Sequence, residues 1–294
     1  MATIYKTLTS NDVASTRTLL NEAIPITGTI VSGTYGAFGT AEENIKDFSH
    51  EMFQSVYDYP YLSSSANHIF DIAVGYATSS AFDNRADTSY HDKKVNVYNQ
   101  MAQVLMGYDH TGSVRLFDQD GDLTAGAKIT EALFINFSRL LVKDEIKKGS
   151  FAITMATGAY GANAHGAATS HLLKLGDTDG STGYKVNSPA GEYGLLYEQS
   201  PNVGTTPMGL VFYQAGVAVL NYTVSSSGDA ITGSSTTFDS SSETALGLLT
   251  GSSSPKAAAN AWRHRINNIS FNSSLTITTY ENLIWLSLLG LKSA

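Results

Sequence analysis

From residue 151 onward, short runs of β-branched, aromatic and aliphatic residues are cut every few positions by clusters of Gly, Asn, Asp and Ser. This punctuation constrains the chain more than any other feature, because the runs are too brief for a helix and the right length for strands. Residues 151–155, 184–187, 194–198, 210–213 and 217–224 are the expected strands, with a further one through Ile269, Phe271, Leu275 and Ile277. Residues 225–242 are almost wholly Ser, Thr, Gly and Asp, a loop able to bury little. Ser254 followed by Pro255 has the form of an N-cap and first-turn pair, opening a helix through 257–265.

The first half reads as more helical. Tyr98, Met101, Ala102 and Leu105 fall at i, i+3, i+4 and i+7, which predicts a helix over 93–106 closed by Gly107. Ile129, Leu133, Phe137, Leu140 and Leu141 make an apolar stripe that predicts a second helix over 126–148, its end carrying Lys143, Lys147 and Lys148. Asn11 and Asp12 are N-cap residues for a short helix bearing Val13, Leu19, Leu20 and Ala23 and ending at Pro25. Strand and turn are expected over 26–39, an aromatic-rich segment over 44–59, and a β-prone run through Ile69, Phe70, Ile72 and Val74. The sum is an α+β chain: a helical middle on a mostly antiparallel β-sheet second half, with extended terminal arms. Residues 1–274 form one domain in this reading, helix-rich over 1–149 and β-rich over 150–274, followed by a divergent tail over 275–294.

At 294 residues the chain can bury a full core without staples. It has no cysteine, which removes thiol nucleophiles, thiolate metal sites and disulfides together. Charged residues make up only 15%, while Gly and Tyr number 26 and 16, so the surface is rich in small neutral polar groups and in tyrosine. Such a surface suits broad protein–protein contacts. A net charge of −8 argues against nucleic acid as a partner. The longest apolar stretch, 283–291, is about half of the ~20 residues a membrane span needs, and the N-terminus lacks the apolar run of a secretory signal.

The most chemical-looking stretch is Asp118-Gln119-Asp120-Gly121-Asp122, whose carboxylates Asp118, Asp120 and Asp122 are a weak calcium candidate. The calcium-loop template asks for Gly at its sixth position and Glu at its twelfth, where this chain has Leu123 and Ile129. An acidic turn leading into a helix N-terminus fits better. Gly158, Gly161 and Gly166 lack the spacing of a phosphate-binding loop, and His165 and His171 lack that of a helical zinc pair. No nucleophile elbow is present, so neither catalytic nor cofactor-binding residues are assigned. Arg263-His264-Arg265 is the one compact basic cluster, read as a partner of a helix C-terminus or an inter-subunit ion pair.

Several long strings resemble a family of virion structural proteins from contractile-tailed marine bacteriophages, chiefly cyanophages. They are residues 11–36 (NDVASTRTLLNEAIPITGTIVSGTYG), 44–76 (NIKDFSHEMFQSVYDYPYLSSSANHIFDIAVGY) and 95–109 (VNVYNQMAQVLMGYD). LFINFSRLLVKDEIKKGSF, VNSPAGEYGLLYE, GLVFYQAGVAVL and RINNISFNSS extend the resemblance to residue 274. Beyond that point relatives continue into a longer region, whereas this chain runs SLTITTYENLIWLSLLGLKSA and stops. The resemblance implies a tail or baseplate subunit, without enzymatic activity or cofactor, assembled in the host cytoplasm into the virion. The implied partners are other virion subunits and further copies of the chain; from the residues themselves, 1–10, the 225–242 loop and the last 20 residues are the expected contact segments. A receptor-binding or adhesin component and a head-decoration protein are the alternatives.

Overall fold

A computed structural model describes residues 13–33, 42–80, 89–124, 126–156, 172–200, 203–222 and 245–282. In chain order, strand β1 (Val13–Thr27) leads into the single-turn helix α1 (Gly28–Ser32), then β2 (Ile45–Asp47), β3 (Phe53–Tyr57) and β4 (His68–Tyr76). The long helix α2 (Ser89–Leu105) is followed by a hairpin of β5 (Phe117–Asp118) and β6 (Lys128–Ile129), and by β7 (Glu131–Phe137). A short helix α3 (Arg139–Val142), β8 (Glu145–Ile146), β9 (Ala152–Ala156), β10 (Leu172–Gly176), β11 (Tyr193–Ser200), β12 (Gly209–Phe212) and β13 (Val217–Asn221) come next. Helices α4 (Ala245–Thr250) and α5 (Pro255–Arg263) precede β14 (Ile266–Asn282).

Eleven strands form one antiparallel path, β1-β14-β9-β10-β11-β12-β13-β7-β4-β3-β2, with β8 attached to β14. β11 is shared between two partners: Tyr193–Leu196 pair with β12, while Tyr197, Glu198 and Ser200 pair with β10. The sheet curls so that its halves face each other. Phe137 on β7 has its ring 5.0 Å from Phe271 on β14 and 5.9 Å from Phe151. That inner core also takes Ile153, Leu173, Val211 and Trp262. A second core lies on the outer face of β7, β12 and β13, where Phe134, Phe212 and Val219 meet Tyr98, Ala102 and Leu105 of α2 and Phe117 of β5. The α+β class holds, dominated by sheet.

The central strands are buried on both faces, and this explains the main misreading. β7, EALFINF, sends Leu133, Ile135 and Phe137 to the inner core and Ala132 and Phe134 to the outer one. A continuous apolar run of this kind contains helical spacings by accident, so residues 126–148 hold β6, β7, α3 and β8 instead of one helix. The short helix expected to end at Pro25 is likewise strand β1. Its fifteen residues pair in unbroken register with β14, from Val13↔Asn282 to Thr27↔Asn268, and this tertiary pairing outweighs local preference. Pro25 is tolerated because β1 lies at the end of the strand order. Of the strand and turn expected over 26–39, Ile26 and Thr27 end strand β1, residues 28–32 form α1 instead, closed by Gly33 in the left-handed region at φ 83°, and residues 34–39 lie outside the described residues. At 184–187 only one bridge forms, Lys185↔Tyr193.

Other expectations match. α2 presents Tyr98, Ala102 and Leu105 inward, and Ser254 Oγ accepts the Ala257 N–H at the start of α5. Gly75 on β4 lets α2 cross closely, since a Cβ there would stand 2.5 Å from the Lys94 carbonyl oxygen. β14 passes residue 274 without a break and remains paired to Asn282. Residues 1–10, 225–242 and 283–291, and the glycines and histidines at 158, 161, 165, 166 and 171, lie outside the described residues.

Candidate functional site

The acidic turn links β5 to β6. One oxygen from each of Asp118, Asp120 and Asp122 lies within 4.8 Å of the others, so the three carboxylates do converge, Asp118 buried and the other two exposed. The group is already occupied from within. Lys128 Nζ donates to Asp118 Oδ1 at 2.8 Å and to the Thr124 carbonyl at 2.7 Å, and the Leu123 N–H donates to Asp118 Oδ2. Asp122 accepts both the Thr124 N–H, at 2.7 Å, and the Thr124 hydroxyl, at 2.8 Å. Those Thr124 bonds hold the Asp122 carboxyl below its ordinary range. The turn feeds a strand, because residues 128–129 pair with 117–118, which corrects the expected helix N-terminus.

A second carboxylate, Asp177, gave no signal in the sequence. It follows β10, is wholly buried, and gathers three segments: its Oδ2 accepts Gly149 N–H at 2.8 Å and the Tyr213 hydroxyl at 3.0 Å, and its Oδ1 accepts Phe151 N–H at 2.8 Å. Burial pushes its carboxyl up to about 6, against the lowering effect of those donors. Burial and the nearby Asp177 charge raise the Tyr213 phenol as well. Gly194 makes room, since a Cβ there would sit 2.0 Å from the Tyr213 hydroxyl. With both oxygens engaged by the protein and no exposure, Asp177 clamps loops together. It lies too deep to exchange protons with a substrate.

The basic cluster is internal: Arg263 stands in the last turn of α5, as expected of a helix C-terminus partner, and its ion pair is made within the chain. Arg263 closes α5, fully buried, and donates to the Val31 carbonyl at 2.7 Å, to Glu42 Oε2 at 2.6 Å and to Asn260 Oδ1 at 2.5 Å. His264 Nε2 lies 2.9 Å from Glu42 Oε1. Burial works against the Glu42 carboxylate, but His264 and Arg263 outweigh it and hold its pKa low. Arg265 donates to the Ala156 carbonyl at 3.0 Å. Sequence spacing could not reveal a partner more than 200 residues away.

Two surface features remain. A cleft of about 360 Å³ opens between α2 and the face of β3, β4 and β7, lined by Met52, Ala73, Val97, Gln100, Phe134 and Asn136. The other is a two-stranded ribbon. Among the described strands the last partner of β14 besides β1 is β8, at Ser273 and Ser274, so 275–282 pair there only with 13–20 and extend past the sheet body. At about 3.4 Å per residue the extension is roughly 27 Å long. Leu19, Leu20 and Ile277 are exposed on it by 59%, 48% and 42%. Among the described residues no strand pairs with the far side of β1.

No protein-family model, curated protein or solved structure matches the chain. No helix among the described residues is long and apolar enough to cross a membrane.

Proposed function

We propose that this chain is a structural component of a contractile-tailed phage virion, a tail or baseplate subunit that acts through protein–protein assembly. The observation that carries the reading is the ribbon: a pair of strands in unbroken register that displays Leu19, Leu20 and Ile277 to solvent where it leaves the sheet. Exposed apolar side chains on a projecting element are a cost to an isolated protein and an asset to a subunit that will cover them. The resemblance of the long strings to phage virion proteins, the scarcity of charge and the wealth of tyrosine support the same reading.

The mechanism is assembly without chemistry of its own. The curled sheet with its two cores supplies a stiff body, and the ribbon supplies a contact that neighbouring subunits complete. Quantitative mass spectrometry of purified particles of the phage that encodes this chain tests the reading. Recovery of its peptides at a fixed copy number relative to the other tail proteins is expected. Peptides found only in infected-cell lysate and never in particles would overturn it.

A further inference from the structure

We infer that the far edge of β1, with which no described strand pairs, joins two copies of this chain, by antiparallel pairing of β1 with the β1 of a second copy about a two-fold axis at Leu19 or Leu20. This rests on the assembly reading and names its partner. A strand at the end of a sheet presents a row of unpaired N–H and C=O groups, which is a template for another strand.

The two ends of this sheet are unequal. β2, at one end, is three residues long, and shortness is a common protection of an edge. β1, at the other, is fifteen residues long and carries only two charges, Arg17 and Glu22. Its one proline, Pro25, lies toward the sheet body and leaves 13–24 without that block.

The sequence of β1 is also compatible with itself. Opposed residues in an antiparallel ladder share one hydrogen-bonding kind, and the kinds alternate along a strand, so a symmetric pair is centred on a residue. Centred on Leu19, the pairing sets Arg17 opposite Asn21 and Glu22 opposite Thr16; centred on Leu20, it sets Arg17 opposite Ala23 and Glu22 opposite Thr18. In neither register does a charge meet its like, and in both an exposed leucine meets its own copy. The contact is isologous and closes at two copies.

The chain has no cysteine, so one introduced thiol reports its own neighbours cleanly. Leu19→Cys and Leu20→Cys are compared in the full chain with Val186→Cys, another exposed position, under mild oxidation on non-reducing gels. Directly opposed Cβ atoms lie about 4.5–5.5 Å apart, near disulfide reach, so the axial position should give covalent dimer in at least about tenfold excess over Val186→Cys. The unaltered chain should sediment as a dimer. Equal yields at all three positions, a monomer at every concentration, or cross-links only to a different protein would each overturn the inference. A chain present in particles but monomeric refutes this pairing alone; a dimer absent from particles refutes the virion reading alone.

Discussion

The Tyr213 hydroxyl donates to Asp177 Oδ2 at 3.0 Å, tying the end of β12 to the turn after β10 in the middle of the protein. Burial raises the carboxyl to about 6 from the ordinary 3.8. A carboxyl whose folded-state pKa is raised binds its proton more tightly in the native state, so its contribution is greatest below about 4 and is lost as pH climbs through about 6. The stability of the native chain relative to Asp177→Asn should therefore fall by roughly 2–3 kcal/mol between pH 4 and 7. Urea melts at several pH values check this, and a constant difference between the two proteins would contradict it.

Glu42 gives the opposite sign. Its carboxyl is held below 4.5 by His264 and Arg263 despite its burial, so its contribution is present above that value and lost as pH falls further. Glu42→Gln should unfold more readily than the native chain at pH 7, and the gap should narrow in acid. Thermal melts at pH 7 and pH 3 measure the gap directly.

Lys94 is wholly buried on α2 and caps α4. Its ammonium donates to the carbonyls of Leu248, Leu249 and Gly251 at 2.9, 2.7 and 3.2 Å, where the helix dipole is negative. Lys94→Met keeps the bulk and removes the donors, at a cost of about 2–3 kcal/mol. Hydrogen exchange should show protection lost first at 247–251. Unchanged protection there would mean that α4 is held by its apolar contacts alone.

Gly75 is the place where helix and sheet nearly touch. An added methyl would lie 2.5 Å from the Lys94 carbonyl oxygen and 2.7 Å from the Tyr98 amide nitrogen, both backbone atoms. Gly75→Ala should destabilise by about 1–3 kcal/mol by pushing α2 off β4. A denaturation midpoint equal to that of the native chain would show that the helix can shift freely.

At the acidic turn, Lys128 serves as the resident cation of Asp118. The native chain should give no saturable calcium isotherm in titration calorimetry. Lys128→Met should lose about 1–3 kcal/mol, because the buried Asp118 carboxylate then loses its charged partner. High-affinity calcium binding by the native chain would refute the turn reading.

The legible parts of the sequence were those in which one local rule decides. The stripe on α2, Ser254–Pro255 at the head of α5, and the strand runs of β9, β11, β12 and β13 each follow from spacing or a cap. The illegible parts depend on what lies across the fold. β7 is apolar on both sides because a core lies on each, and a residue list cannot distinguish that from a helix face. β1 takes its structure from β14, some 250 residues later. At the candidate sites, the closeness of Asp118, Asp120 and Asp122 was visible because they are neighbours in sequence, and the internal role of Arg263 was not, because Glu42 and Val31 are distant.

The pairing of β1 with β14 also sets an order of events. Closing a loop of this length carries a large entropic cost before any contact repays it, and contacts so distant in sequence slow folding. On the ribosome, the first described strand to emerge waits for the last. During that wait Leu19, Leu20 and the backbone of β1 lack their β14 partner, the kind of exposed strand edge that makes folding intermediates prone to aggregate.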